Sequence, residues 1–151
     1  MAAPREFLFV YGTLRSDLAH PIAGVVGKHA QLVGRAHFRG KLFDVGEYPR
    51  AVASLSPSDR VVGELHRIEL GREAALFAEL DRYEGWNPDR PGESEFTRER
   101  AWIETEAGER VEAWLYTYNR PTGRLARIAS GDYRIEGARS LNRAADSAAG
   151  P

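Results

Sequence analysis

The stretch Phe7-Leu8-Phe9-Val10-Tyr11-Gly12-Thr13-Leu14-Arg15 constrains the fold more than any other part of the chain. In an extended segment, Phe7, Phe9 and Tyr11 face one way and Leu8 and Val10 the other. A strand that is apolar on both faces has to be covered on both, so the rest of the chain must supply a layer for each side. The run stops at Gly12-Thr13, where a missing Cβ lets the backbone turn sharply and approach another group. A buried strand delivering a glycine turn is one way to present backbone N–H groups to a ligand. From these residues alone, a plain strand ending in a plain turn reads equally well.

With 151 residues, 42% of them hydrophobic, the chain can bury one real core. Residues 1–139 are expected to form a single domain, followed by a tail, 140–151, of Ala, Ser, Asn and Asp with little to bury. The formal charge of −1 lacks the basic excess of a nucleic-acid footprint, so no nucleic-acid partner is expected. Cysteine is absent, which removes disulfides, a thiol nucleophile and Cys-based metal sites and fits a cytoplasmic setting. Met1 to Glu6 lack the apolar core of a signal peptide, and no run of ~18 apolar residues follows, so no membrane association is expected.

In order along the chain, His20-Pro21 opens a short helix, with Ile22, Val25 and Val26 at helical spacing and Gly27 as its expected end. Ala36, Phe38, Gly40 and Leu42 then alternate with Arg35, His37, Arg39 and Lys41, the pattern of one strand with a wet, basic face. A turn at Gly46–Pro49, a short strand at Arg50–Ser54 and a strand at Val61–Ile68 come next. From Arg72 the period changes to helical, with Ala75, Leu76, Phe77 and Leu80 on one stripe and Gly85 as the stop. Trp86 to Ser94 reads as a loop, and Phe96–Glu104 and Val111–Tyr118 as a hairpin, with Trp114, Tyr116 and Tyr118 on one face. Neighbouring strands follow in hairpin order rather than as β-α-β units. The expected class is therefore α+β, with an antiparallel or mixed sheet, flat or curled into a small barrel, and flanking short helices.

Most familiar catalytic patterns are missing: there is no G-x-S-x-G, no H-E-x-x-H and no P-loop. His20, His29, His37 and His66 show no ligand spacing, and His37 and His66 are expected on strand surfaces. No metal or cofactor is expected. Among the carboxylates, Glu73, Glu79, Glu99, Glu106 and Glu109 sit in charged company, whereas Glu84 lies four residues beyond Leu80 and seven beyond Phe77. If the helix reaches it, Glu84 belongs to the apolar stripe, and burial would raise its pKa into a range useful for proton transfer. If the helix frays first, it faces water.

Tyr11-Gly12-Thr13-Leu14 after a buried strand, and Leu80-Asp81-Arg82-Tyr83-Glu84-Gly85 at a helix end, together resemble the gamma-glutamylcyclotransferase-like family. Tyr48-Pro49, Gly63-Glu64-Leu65, Phe96-Thr97-Arg98 and Trp114-Leu115-Tyr116 follow in the order in which that family carries similar motifs, and the likeness runs from Phe7 to about Tyr133. The Y-G-T-L form is nearest to the gamma-glutamylamine cyclotransferases and their bacterial relatives; Phe96 stands where many members carry Tyr.

The resemblance implies a small, mixed, mostly antiparallel β-barrel with short helices. It also implies a cyclotransferase that cleaves a γ-glutamyl amine or γ-glutamyl amino acid to 5-oxoproline and a free amine. Glu84 would be the proton acceptor, and Tyr11, Gly12, Thr13 and Leu14 would hold the glutamyl group. Tyr116, Arg15 and Arg98 are further candidates as pocket walls or carboxylate partners. The implied partner is a small γ-glutamyl substrate; nothing in the sequence argues for a particular oligomer. A non-catalytic metabolite-binding module, or a different γ-glutamyl-transforming tailoring enzyme on the same fold, are the competing readings.

Overall fold

The computed structural model describes residues 5–11, 21–44, 49–123 and 125–132, with the backbone alone described at 21, 22 and 44. Gly12, Thr13, Leu14, Arg15, Tyr48, Tyr133 and the tail 140–151 lie outside the described residues.

Five strands close a barrel in the order β1-β5-β2-β6-β7. They are β1 (Phe7–Val10), β2 (Ala30–Phe38), β5 (Val61–Ile68), β6 (Phe96–Thr105) and β7 (Arg110–Tyr118). Every pairing is antiparallel except the closing one, where β1 meets β7 in parallel at Leu8 and Trp114. A second, three-stranded sheet has the order β4-β3-β8, from β3 (Gly40–Asp44), β4 (Pro49–Ala53) and β8 (Ala126–Arg127). Two helices, α1 (Pro21–His29) and α2 (Glu73–Glu84), and a 3₁₀ turn at Pro91–Glu93 complete the described elements. No helix among the described residues is long and apolar enough to cross a membrane.

The double-sided character of β1 is what joins the layers. Phe9 and Tyr11 enter the barrel interior beside Phe38, Leu65, Ile103 and Leu115, and the small sheet adds Leu42, Ala51 and Ile128 to the same cluster. Leu8 and Val10 face outward, under Val26 of α1 and Leu76, Phe77 and Leu80 of α2, with Phe96 and Tyr116 beside them. Burying each such side chain contributes about 1.5–3 kcal/mol, so the two layers together fix how α2 lies on the sheet.

Three local expectations are corrected. The helix α1 runs through Gly27 to His29. A side chain at Gly24 or Gly27 would meet nothing, so neither glycine is a forced stop. Buried Val26 and the basic last turn, Lys28 and His29, favour continuation. The alternating basic stretch is two strands in different sheets. The crossing falls between Phe38 and Gly40, where a Cβ on Gly40 would stand 2.5 Å from the Val52 carbonyl. His66 is 3% exposed, not a surface residue, because its strand is covered on both faces. It lies 3.2 Å from the Oε1 of Glu64, itself 6% exposed.

Candidate active site

The helix α2 does reach Glu84, and the apolar stripe of Leu76, Phe77 and Leu80 seats it on the sheet. Gly85 ends it in the left-handed conformation, φ 72° and ψ 31°, which costs glycine no Cβ clash. Glu84 is therefore the last helical residue, and its carboxyl is half-buried where α2 meets the sheet. Loss of solvent, and then the charge of Glu95, push its pKa up to about 8.

Two tyrosines feel that carboxylate. Tyr11, directly after β1, is buried and donates its hydroxyl to the Tyr116 carbonyl oxygen at 2.5 Å. Burial, then the charge of Glu84, hold its phenol well above the usual range, while the Ala51 amide and Arg50 pull the other way. Tyr116, on β7, donates its own hydroxyl to Asp81 Oδ1 at 2.6 Å. Its phenol is likewise raised, by burial first, then by the hydrogen bond to Asp81 and the charge of Asp81, with Glu84 adding a smaller push.

Arg98 on β6 grips the same Asp81, Nε to Oδ1 at 2.9 Å and Nη2 to Oδ2 at 3.3 Å. Its guanidinium stacks 4.2 Å from the Phe77 ring centre and 5.0 Å from that of Trp114. Across the site, Arg50 of β4 donates Nη2 and Nε to Glu95 Oε1 at 2.5 and 3.1 Å and lies 4.7 Å over the Tyr118 ring. Phe96 packs edge-on against Tyr118, ring centres 5.8 Å apart.

Thus the structure brings Glu84, Tyr11 and Tyr116 into one electrostatic neighbourhood and places Arg98 one turn back along α2, against Asp81. Gly12, Thr13, Leu14 and Arg15, which follow Tyr11 in the chain, are outside the described residues. The sequence reading missed Asp81, Arg50 and Glu95. Asp81 carried a signal: it lies four residues beyond Phe77, as Glu84 lies four beyond Leu80. The pair Arg50–Glu95 spans 45 positions, and no local pattern announces it.

The geometry has a counterpart among known proteins. The family model for "Gamma-glutamyl cyclotransferase, AIG2-like" matches residues 8–135. The chain belongs to that family. Its curated relatives include the gamma-glutamylcyclotransferase family protein YtfP of Escherichia coli K12, 34% identical over 127 residues, which cover 83% of this chain and 94% of that one. The solution structure of the E. coli protein ytfP is 32% identical, with a TM-score of 0.56 over 84% of this chain and 95% of that one. The crystal structure of YkqA from Bacillus subtilis, 21% identical, has a TM-score of 0.68 over 92% of this chain but only 43% of that longer one, and speaks for the fold alone. The mixed barrel with two flanking helices is the fold of this family's solved structures.

Proposed function

We propose that this member of the family is a cyclotransferase that releases 5-oxoproline from a γ-glutamyl amine or γ-glutamyl amino acid. The observation that carries the reading is Glu84: a half-buried carboxyl at a helix end, within electrostatic reach of Tyr11 just after β1, with its pKa raised to about 8. A carboxyl raised this far is a much stronger base than an ordinary glutamate, so taking a proton from an α-ammonium is correspondingly less uphill.

The reaction then needs only this chain and its substrate. Glu84, ionised, takes a proton from the substrate's α-ammonium. A bound ammonium beside it favours the ionised form and so lowers its pKa on binding. The freed amine attacks the γ-carbonyl carbon, forming the ring C–N bond and placing negative charge on oxygen. Backbone N–H groups of Gly12, Thr13 and Leu14 would bind the glutamyl carboxylate or this oxyanion, where each donor contributes a few kcal/mol. The C–N bond to the leaving amine breaks as Glu84 returns its proton to that nitrogen, and the second proton of the ring nitrogen passes through the carboxylate so formed to the released amine, which departs as an ammonium. Holding nucleophile and carbonyl about 3 Å apart lowers the barrier by several kcal/mol more.

Glu84→Gln tests this. It preserves shape but cannot exchange the proton, and should lower 5-oxoproline release about 10²- to 10⁴-fold while the fold persists. Undiminished turnover would remove Glu84 from the role. A panel of γ-glutamyl amines, γ-glutamyl dipeptides and glutathione, scored for 5-oxoproline and by thermal shift, separates the classes: binding without product would favour a metabolite-binding module instead.

A further inference from the structure

We infer that Asp81 is a positioning residue, which through Tyr116 and Arg98 fixes the last turn of α2 on the sheet and so sets where the Glu84 carboxyl stands relative to the end of β1. The inference rests on the role proposed for Glu84, and extends it to residues that need not touch the substrate.

The last turn of a helix is its weakest part, because its carbonyls have no partner further along the helix. Here Asp81 supplies anchorage twice. Its main-chain oxygen accepts the N–H of Gly85 and that of Trp86, the latter at 2.9 Å, which closes the helix end just after Glu84. Its side chain accepts three hydrogen bonds from the barrel, two from Arg98 of β6 and one from Tyr116 of β7. One residue thus ties the segment carrying Glu84 both to itself and to two strands.

The partners are themselves held. Arg98 packs over both the Phe77 and Trp114 rings, which themselves meet edge-on, and this contact orients its fork toward Asp81. The Asp81 and Arg98 side chains are 20% and 21% exposed, which sets the pair apart from freely solvated ion pairs of little consequence. Tyr116 works in two directions: its hydroxyl goes to Asp81 and its carbonyl oxygen takes the Tyr11 hydroxyl. A continuous path of hydrogen bonds therefore runs from the end of α2, through β7, to Tyr11, the residue directly before Gly12. A general base displaced by about 1 Å loses up to 10²-fold in rate, so this path is where the site's tolerance is set.

Tyr116→Phe is the sharper variant, because it removes the hydroxyl that joins β7 to Asp81 without altering any charge. The groups that act on Glu84 or feel it are Glu95 before β6, Tyr11 after β1 and Tyr116 on β7, with Asp81 and Arg98 one turn back. Asp81→Asn is the companion: its oxygen can still accept from Tyr116, but its NH₂ faces the Arg98 donors. It carries the test if Tyr116→Phe does not fold.

Two readouts are needed. The first is kcat and KM for 5-oxoproline release; each variant should lose roughly tenfold or more in kcat with KM little changed. The second is the titration of the Glu84 carboxyl by ¹³C NMR, followed without substrate. A loosened helix end admits water, and the midpoint should fall by about one unit toward the ordinary carboxylate value. Wild-type kcat with an unmoved titration overturns the inference. A lost kcat with an unmoved titration also overturns it, since Tyr116 would then act on the substrate directly. So does a shifted titration at full kcat, since position would not govern rate. If the wild-type protein makes no 5-oxoproline from any γ-glutamyl compound, the cyclotransferase reading fails by itself, and the titration alone still decides whether Asp81 and Tyr116 hold Glu84 in place.

Discussion

The two faces of β1 lead into layers of opposite character. Inside the barrel, Phe9 and Tyr11 meet Phe38, Leu65, Ile103 and Leu115 in a mainly apolar cluster that holds the Tyr11 hydroxyl. Outside, under the helices, Leu8 and Val10 share their layer with the Tyr116 hydroxyl, with Asp81 and Glu84 at its margin. Glu64 and His66 pair with Val10 and Leu8 across the β1–β5 ladder and lie on that same face. A closed barrel leaves no room for water to solvate a buried charge. A seam between helix and sheet has edges, where a carboxyl can be dry enough to hold its proton and still meet a ligand. The site belongs to the seam, and Tyr11 reaches it from the interior, through the Tyr116 carbonyl.

The strongest way to break this contrast is to cut one leucine from each layer. Leu65 and Leu80 are both buried, and replacing either with Ala should cost about 2–5 kcal/mol in a denaturant titration. Their effects on chemistry should differ. Leu65→Ala should leave kcat of the folded fraction unchanged. Leu80→Ala opens a cavity one turn before Glu84 and should lower kcat as well. Equal kcat in the two variants would mean that the layers do not divide structure from chemistry.

How far the sequence alone could have led is visible in the same residues. The helix α2 declares itself by its apolar period, and β1, β5, β6 and β7 by short runs rich in β-branched and aromatic residues bounded by turn signals. For Glu84 that period leaves two places, on the stripe or in water beyond a frayed end, and α2 running to Glu84 decides between them. What stayed hidden was pairing between distant segments. Arg98 reads as a candidate pocket wall or carboxylate partner, and which carboxylate it meets is hidden until α2 is laid beside β6 and Asp81, 17 positions away, receives it. Arg50 reads only as the first residue of a short strand, and nothing local points to Glu95, 45 positions on. Burial of His66 and Glu64 was inferable in part: a strand lined by Val61, Val62, Leu65 and Ile68 has no wet face to offer them. The split of the basic stretch at Arg39 has no periodic signal at all, since the alternation continues unbroken across two sheets.

A second test uses pH on stability. Glu84 has a folded-state pKa of about 8, against 4.5 for an ordinary glutamate. Between those values the folded protein holds a proton that the unfolded chain has released, so stability falls as pH rises through this window. The loss should be on the order of a few kcal/mol by pH 9. Glu84→Gln has no such proton to lose, and the term should vanish. Chemical unfolding at pH 5, 7 and 9 compares the slopes. A variant whose stability declines as steeply as the wild type would place the strain in another group, and would remove the dry carboxyl from the seam.

The smallest effect, and the one that sharpens the contrast within the seam, comes from Glu95. Asp81 and Glu84 sit three residues apart on one helix, yet Asp81 is met by Arg98 and Tyr116 while Glu84 meets the charge of another carboxylate. Burial is the larger cause of Glu84's raised pKa and Glu95 the second. Glu95→Gln should therefore lower the Glu84 midpoint by about half a unit to one unit, not restore an ordinary value. The rate of 5-oxoproline release, kcat/KM against pH, needs Glu84 ionised in the free enzyme, so its acidic limb should move to lower pH by the same amount. If the limb does not move, the mutual repulsion of the two carboxylates has no part in tuning the base, and desolvation alone accounts for it.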